Sequence, residues 1–115
     1  MNKSRLLAYV FVFIILYGCD KQLEPKSDCI DDWINKIKSE GVRNPPAAIW
    51  QYYYNGQFVY FIPAHCCDFA SILLSMDCEI ICNPDGGLTG SGDGKCSDFF
   101  AKRTNEKLIW MDTRK

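Results

Sequence analysis

Apolar side chains recur at helical spacing through the segment 28–40 (DCIDDWINKIKSE). Ile30, Trp33, Ile34 and Ile37 occupy positions i, i+3, i+4 and i+7, which places them on one face of a helix. Aspartates in the first turn and lysines near the end complement the helix dipole, and a glycine follows at the position of a C-terminal cap. The pattern predicts one amphipathic helix over residues 28–40.

The aromatic-rich segment 47–63 (AAIWQYYYNGQFVYFIP) predicts a β-hairpin. Asn55-Gly56 is the preferred pair for a two-residue type I′ turn, and a turn of that length determines which residues face each other. The expected pairs on one face are Tyr54/Gln57, Tyr52/Val59 and Trp50/Phe61. Because the centre of this face is the more uniformly apolar, we expect the helix to pack against it.

Shorter apolar runs predict three further strands, over residues 70–75, 79–82 and 108–111, with a single helical turn near 69–73 as an alternative to the first of them. The segment 83–98 is too rich in glycine for a regular element and is expected to be a loop. The predicted fold class is α+β: one N-terminal helix packed on a four- to five-stranded antiparallel sheet, stapled by disulfides and carrying a long glycine-rich loop.

The N-terminus has the pattern of an export signal. Lys3 and Arg5 precede twelve apolar residues over 6–17, a cationic start and an apolar stretch typical of a secretory signal peptide. A membrane span would need about 20 apolar residues, so an uncleaved anchor is the less favoured alternative. The cationic start followed by the apolar stretch predicts a signal peptide over residues 1–18.

The apolar stretch ends in Leu16-Tyr17-Gly18-Cys19, which resembles the bacterial lipobox. In lipoproteins the cysteine of that motif is acylated and becomes the N-terminus. Cys19 is therefore the predicted lipidation site, with palmitate-type acyl chains that insert into the membrane. The polar segment after it completes a lipid-bearing tether over residues 19–27, and residues 28–115 form the small cysteine-rich domain.

Cysteines are numerous for a chain of 115 residues, which contains seven. If Cys19 carries lipid, six remain, enough for three disulfides in an exported domain. The disulfide candidates are Cys29, Cys66, Cys67, Cys78, Cys82 and Cys96. Adjacent cysteines rarely bridge each other, so Cys66 and Cys67 are expected to reach two different parts of the fold. Zinc, with His65 as a further ligand, is the alternative, although the spacing lacks the paired arrangement of structural zinc sites.

The glycine-rich segment matches neither of two well-known nucleotide-binding loops. A phosphate loop would need serine or threonine after Gly94-Lys95, where Cys96 stands, and a dinucleotide fingerprint would need a glycine at Lys95. A structural or binding loop is the favoured interpretation. Its candidate binding residues are Asp85, Gly86, Gly87, Thr89, Gly90, Gly92, Asp93 and Gly94. Calcium held by Asp85, Asp93 and Asp98 stays open as an alternative.

Charge and residue types limit the function classes. A net charge of −1 and a single histidine give no basic field for nucleic acid and little material for familiar catalysis. We expect no cofactor and no nucleic-acid partner. An enzyme with an unfamiliar site around His65, Cys66, Cys67 and Asp68 is one alternative, and a Ser91–His65 hydrolase is disfavoured because no nucleophile-elbow motif is present.

Several motifs together resemble a domain-of-unknown-function family of small exported lipoproteins of Bacteroidetes-type bacteria. The resemblance spans residues 29–112 and is carried by these motifs: Asn44-Pro45-Pro46-Ala47, Tyr54-Asn55-Gly56, Cys66-Cys67-Asp68, the PDGGxTGxGDGxC string of Pro84–Cys96, and Asp98-Phe99. It implies a lipid-anchored, cysteine-rich domain and carries over no catalytic residue. The resulting expectation is a binding module at the cell envelope. It would be anchored in membrane lipid, periplasmic or surface-facing, and would bind an envelope protein or a glycan.

Overall fold

The structure, a computed structural model, describes residues 28–115. The predicted signal peptide, Cys19 and the tether lie outside the described residues. Within them the chain forms α1 (Asp28–Ser39), β1 (Ala48–Tyr54), β2 (Gln57–Ile62), β3 (Ile72–Leu74), β4 (Ile80–Cys82), α2 (Phe99–Lys102) and β5 (Thr104–Met111).

The five strands form one antiparallel sheet in the order β4-β3-β2-β1-β5. The α+β class is thereby confirmed, with one long helix and five strands. Residues 69–73 do not form a helical turn, since β3 begins at Ile72. The last strand is longer than predicted and begins at Thr104, because its first residues are polar and exposed at a sheet edge and so carry no apolar pattern.

The β1–β2 hairpin has the predicted register, with Tyr52 opposite Val59 and Trp50 opposite Phe61. Asn55 (φ 49°) and Gly56 (φ 80°) both have left-handed backbone conformations, as a type I′ turn requires. Local turn chemistry therefore sets the pairing of the two central strands.

The helix does not pack on the predicted face of this hairpin. Ile30 and Ile37 of α1 are buried against Ile49, Tyr60 and Ile62, which lie on the opposite face. Trp33 and Ile34 are only partly buried at the edge of this cluster, which we call the α1-side core. The face prediction is wrong because both faces of the hairpin are apolar and each has its own cover.

The other face of the hairpin, which the sequence predicts to carry the helix, is covered by the chain that follows the glycine-rich loop. Phe99 of α2 is fully buried there and makes edge-on contacts with Tyr52 and Tyr54, with ring centroids 5.6 and 5.3 Å away. Phe61 and Leu73 complete this α2-side core, together with Val59, Cys82 and Cys96. The sheet is thus enclosed between α1 on one side and α2 with the loop on the other.

The charged C-terminal tail is fastened to the end of α1. The Arg114 guanidinium donates to the Lys38 carbonyl at 2.9 Å and to the buried Asp112 carboxylate at 2.7 Å, while the Asp112 amide donates to the Ala47 carbonyl at 2.8 Å. The cation thereby satisfies a carbonyl at the helix C-terminus, which such residues commonly do. The tail closes the α1 side of the fold.

Candidate functional site

Two of the segments predicted to carry function, the one with Cys66 and Cys67 and the glycine-rich loop, lie together at one corner of the molecule. The β2–β3 connection, residues 63–70, lies against the glycine-rich loop, residues 83–95. The Gly87 amide donates to the Phe69 carbonyl at 3.0 Å, and Ala70 forms an isolated antiparallel bridge with Gly86. We call this region the thiol–glycine corner.

The loop side of the corner is tied to the fully buried Ser71. The Ser71 hydroxyl lies 3.0 Å from the Asp85 amide, which donates to it, and the Ser71 amide donates to the Asp85 carbonyl at 3.0 Å. The Asn83 side chain donates to the Ser71 carbonyl at 2.7 Å. Asp93 caps the same region, because its carboxylate accepts the Asn83 and Lys95 amides at 3.1 and 3.0 Å. Hydrogen bonds therefore hold this loop along much of its length despite its glycine content.

Two of the glycines are required by close backbone contacts. A Cβ on Gly86 would lie 2.6 Å from the Phe69 carbonyl oxygen, and a Cβ on Gly92 would overlap the Asn83 carbonyl. Both glycines have positive φ angles, 79° and 64°, a conformation that other residues adopt at a cost. These residues serve the packing of the corner.

Two disulfides form within residues 28–115. Cys29 of α1 is joined to Cys78, 49 residues away, and Cys82 of β4 is joined to Cys96 across the glycine-rich loop, with Cα–Cα distances of 6.0 and 6.2 Å. The first fastens α1 to the β3–β4 connection, and the second closes the loop beneath the corner. The prediction of a disulfide-stapled domain is confirmed for these two pairs.

Cys66 and Cys67 do not reach separate parts of the fold, and that expectation is wrong. Both are exposed and unbridged, and their Sγ atoms lie 2.6 Å apart. The Phe69 amide donates to the Cys66 carbonyl at 2.9 Å, which makes residues 66–69 a tight turn in which Cys67 has a φ of 55°. The turn directs both thiols outward and towards each other.

The chemistry of this turn differs from that of an activated cysteine. The hydrogen bond with the Cys67 thiol raises the pKa of Cys66, and partial burial and the charges of Cys67 and Asp68 act in the same direction. A cysteine nucleophile needs the opposite shift. The His65 ring is stacked on Phe69, with centroids 5.6 Å apart, and neither thiol accepts a hydrogen bond from it within residues 28–115. The geometry therefore does not favour the enzyme alternative.

Apolar side chains project into solvent at the corner. Leu88, at the tip of the loop, is 88% exposed, and Phe69 is 61% exposed. Leu88 directly follows Gly87, whose amide binds the Phe69 carbonyl, so the two side chains belong to adjacent backbone segments. A single exposed apolar side chain is ordinary on a protein surface, and it is the pair on two adjacent segments that makes this corner a candidate contact surface.

The three aspartates weighed for calcium have separate surroundings. Asp93 accepts backbone amides, which lower its pKa, and Asp98 accepts the Tyr54 hydroxyl and the Lys102 ammonium, which lower its pKa in the same way. The Asp85 Oδ1 atom is buried with no hydrogen-bond partner in the described part of the chain. Over residues 28–115 no group of three or more metal-ligating side chains comes together, so the structure gives calcium and zinc no support.

Sequence reasoning missed a polar cluster on the α2 side. The Tyr52 hydroxyl donates to the Glu106 carboxylate at 2.6 Å, and the Arg103 guanidinium lies 4.7 Å from the Tyr52 ring centroid and 4.9 Å from that of Phe100. Burial, followed by the bond to Glu106, raises the pKa of Tyr52 to about 12. The cluster fastens β5 and α2 to β1. Residues so far apart in the chain leave no local signal of it.

No helix over residues 28–115 is both long and apolar enough to cross a membrane. The chain was compared with known proteins, and no curated protein and no solved structure matches it. The model of one family, described as domain of unknown function DUF6970, matches residues 35–112, which include the hairpin, the thiol–glycine corner and β5. The chain belongs to the DUF6970 family.

Proposed function

We propose that this protein is an exported, lipid-anchored binding module of the cell envelope, and that its contact surface is the thiol–glycine corner. The observation that carries the proposal is the 88% exposure of Leu88 at the tip of a loop that a disulfide and several hydrogen bonds hold in place. A rigid loop loses little conformational entropy on binding, and so more of the contact energy contributes to affinity.

The chemistry of the surface favours a protein partner. Leu88 and Phe69 offer an aliphatic and an aromatic side chain, both largely solvent-exposed, and burial of such groups in an apolar pocket is favourable. A glycan would be recognised through several polar groups around an aromatic ring. The exposed aromatic pair Tyr53 and Phe58, 5.2 Å apart near the hairpin turn, is the other surface that a ligand could use.

Capture from native envelopes tests the surface. The tagged, lipidated protein is compared with a Phe69→Ser/Leu88→Ser variant and with a Phe58→Ser variant at the opposite end of β2. We expect the double variant to lose the protein that the unaltered chain retains, while its melting temperature stays within a few degrees, because both side chains are exposed. Retention by the double variant but not by Phe58→Ser would move the site to the hairpin, and release by free glycans would replace the protein with a glycan ligand.

The anchor is tested separately by mass spectrometry of the intact chain from the membrane fraction. Cleavage is expected between Gly18 and Cys19, with acyl chains on Cys19. Support comes from the order of cationic, apolar and Gly-Cys residues. Four of the six other cysteines form two disulfides, and Cys66 and Cys67 are unbridged, so the mass measurement also tests for a bridge between Cys19 and either of them. Cys19→Ser should abolish lipid attachment and leave the domain folded. Unprocessed Met1–Lys115, or Cys19 in a disulfide, would contradict the anchor.

A further inference from the structure

Cys66 and Cys67 are the two unbridged cysteines in the described part of the chain. Their Sγ atoms are 2.6 Å apart, about 0.6 Å more than the length of a disulfide bond. Both side chains are exposed. The turn that holds them is closed by the bond from the Phe69 amide to the Cys66 carbonyl at 2.9 Å. Adjacent residues hold their Cα atoms closer together than ordinary disulfides do, so bond formation needs a local change in the backbone of the turn as well as in the two side chains.

We propose that Cys66 and Cys67 form a reversible dithiol–disulfide site that exchanges with small external disulfides. A thiolate of the pair, which the raised pKa of Cys66 makes scarcer at neutral pH, attacks a sulfur of the external disulfide RSSR, forms a mixed disulfide and expels RS−, which takes up the thiol proton as RSH. The neighbouring thiol then attacks the protein sulfur of the mixed disulfide. The Cys66–Cys67 bond forms and the second RSH leaves. Two cysteine thiols are oxidised and one disulfide is reduced to two thiols, with both protons carried away on the thiol products.

Accessibility separates this pair from the other cysteines. Cys82 and Cys96 are 2% and 4% exposed in the α2-side core, and their disulfide lies beneath the glycine-rich loop. An external disulfide or thiol must reach a sulfur along the line of attack, so buried bridges exchange slowly. Cys29 and Cys78 are partly buried and bridged to each other, so the exposed pair is the site that reacts first.

Proximity decides the product. Once a mixed disulfide forms at one cysteine, the second sulfur is already in contact with it, so closure is intramolecular and outruns the capture of a second external molecule. The expected end state is a ring between the two adjacent residues, with no external group attached. Its formation needs no residue from another part of the chain.

The test uses the full chain in a Cys19→Ser background, so that the pair supplies the accessible thiols. The protein is equilibrated with mixtures of oxidised and reduced glutathione, quenched with acid, alkylated and digested. With oxidised glutathione the peptide carrying residues 63–70 should lose two hydrogen atoms and carry no adduct. Reduced glutathione should restore both thiols, while Cys29–Cys78 and Cys82–Cys96 stay bridged throughout.

Single variants supply the matched control. Cys66→Ser and Cys67→Ser should each hold a stable glutathione adduct on the remaining thiol, because no neighbour is left to resolve it. Their melting temperatures check that the fold is intact. Stable adducts on both cysteines of the parent, disulfide-linked dimers, or thiols that stay reduced in every mixture would each overturn the proposal.

Discussion

Gly92 is the glycine-rich loop position at which a side chain is least tolerable. It shares a left-handed backbone with Gly94, but a Cβ at Gly92 would overlap the Asn83 carbonyl, whereas Gly94 faces open space. We expect Gly94→Ala to lower the free energy of unfolding by about 1–2 kcal/mol through backbone strain alone. Gly92→Ala should cost clearly more, because the overlap adds to the same strain. Urea unfolding compares the two, and equal losses would contradict the close contact.

Tyr52 should stay neutral far above the usual range of a phenol. Its folded pKa of about 12 lies above the ordinary 10.0, so the protonated form stabilises the fold fully below pH 10. That contribution is lost as the pH rises from about 10 to 12. In Glu106→Gln the pKa should fall but remain above 10.0, because burial is the larger cause. NMR titration of labelled tyrosine measures the pKa of Tyr52 in the parent and in the variant. An unchanged pKa in the variant would show that Glu106 has no part in the shift.

The packing of α1 depends on its two fully buried isoleucines more than on its tryptophan. Ile37 is 2% exposed in the α1-side core, and Trp33 lies partly buried at the edge. Ile37→Ala should lower the free energy of unfolding by about 2–5 kcal/mol. The exposed Val42 is the control, and Val42→Ala should change stability by no more than about 0.5 kcal/mol. A larger loss from Trp33→Ala than from Ile37→Ala would contradict the observed face of the helix.

The ion pair between Asp112 and Arg114, at the C-terminal end of α1, should make the stability of the fold depend on pH in acid. The Arg114 guanidinium, followed by the Arg114 amide, lowers the pKa of Asp112 from 3.8 to about 2. The carboxylate therefore stabilises the fold above the unfolded pKa, and this contribution is lost as the pH falls from about 4 to 2.

Replacing the carboxylate isolates that contribution. Asp112→Asn should melt at a lower temperature near neutral pH and should lose less stability than the parent between pH 4 and 2. Thr113→Ala, at the exposed position between the two charged residues, should behave as the parent does. If the melting temperatures of the parent and of Asp112→Asn fall equally across this pH range, the ion pair contributes no charge-dependent stability.

On the scale of the whole molecule, the Cys82–Cys96 bridge joins the sheet to the glycine-rich loop and to the α2-side core. Cys82→Ser/Cys96→Ser should lower the free energy of unfolding by about 2–5 kcal/mol.

We expect the stability of the glycine-rich loop to depend on this disulfide and not on calcium. Thermal melts with calcium and with chelator should therefore coincide. A calcium-dependent rise of several degrees in the melting temperature would identify Asp85, Asp93 and Asp98 as ligands.

Local patterns were sufficient for the elements themselves. The 3.6-residue stripe of residues 28–40 and the Asn55-Gly56 turn predicted α1 and the hairpin register correctly, because helix periodicity and turn geometry involve residues close together in the chain. Residues 83–98 contain turns and isolated bridges. The polar half of β5 escaped prediction, since its pairing with β1 comes from a strand about 50 residues earlier.

Tertiary structure alone decided how the elements combine. Both faces of the hairpin are apolar, so only the path of the chain determines that α1 covers Ile49 and Ile62 while Phe99 covers Tyr52. Disulfide pairing depends on distances between residues 49 and 14 positions apart, which spacing does not reveal. The same packing left Cys66 and Cys67 with no partner but each other, because every other cysteine of residues 28–115 is bridged within the fold.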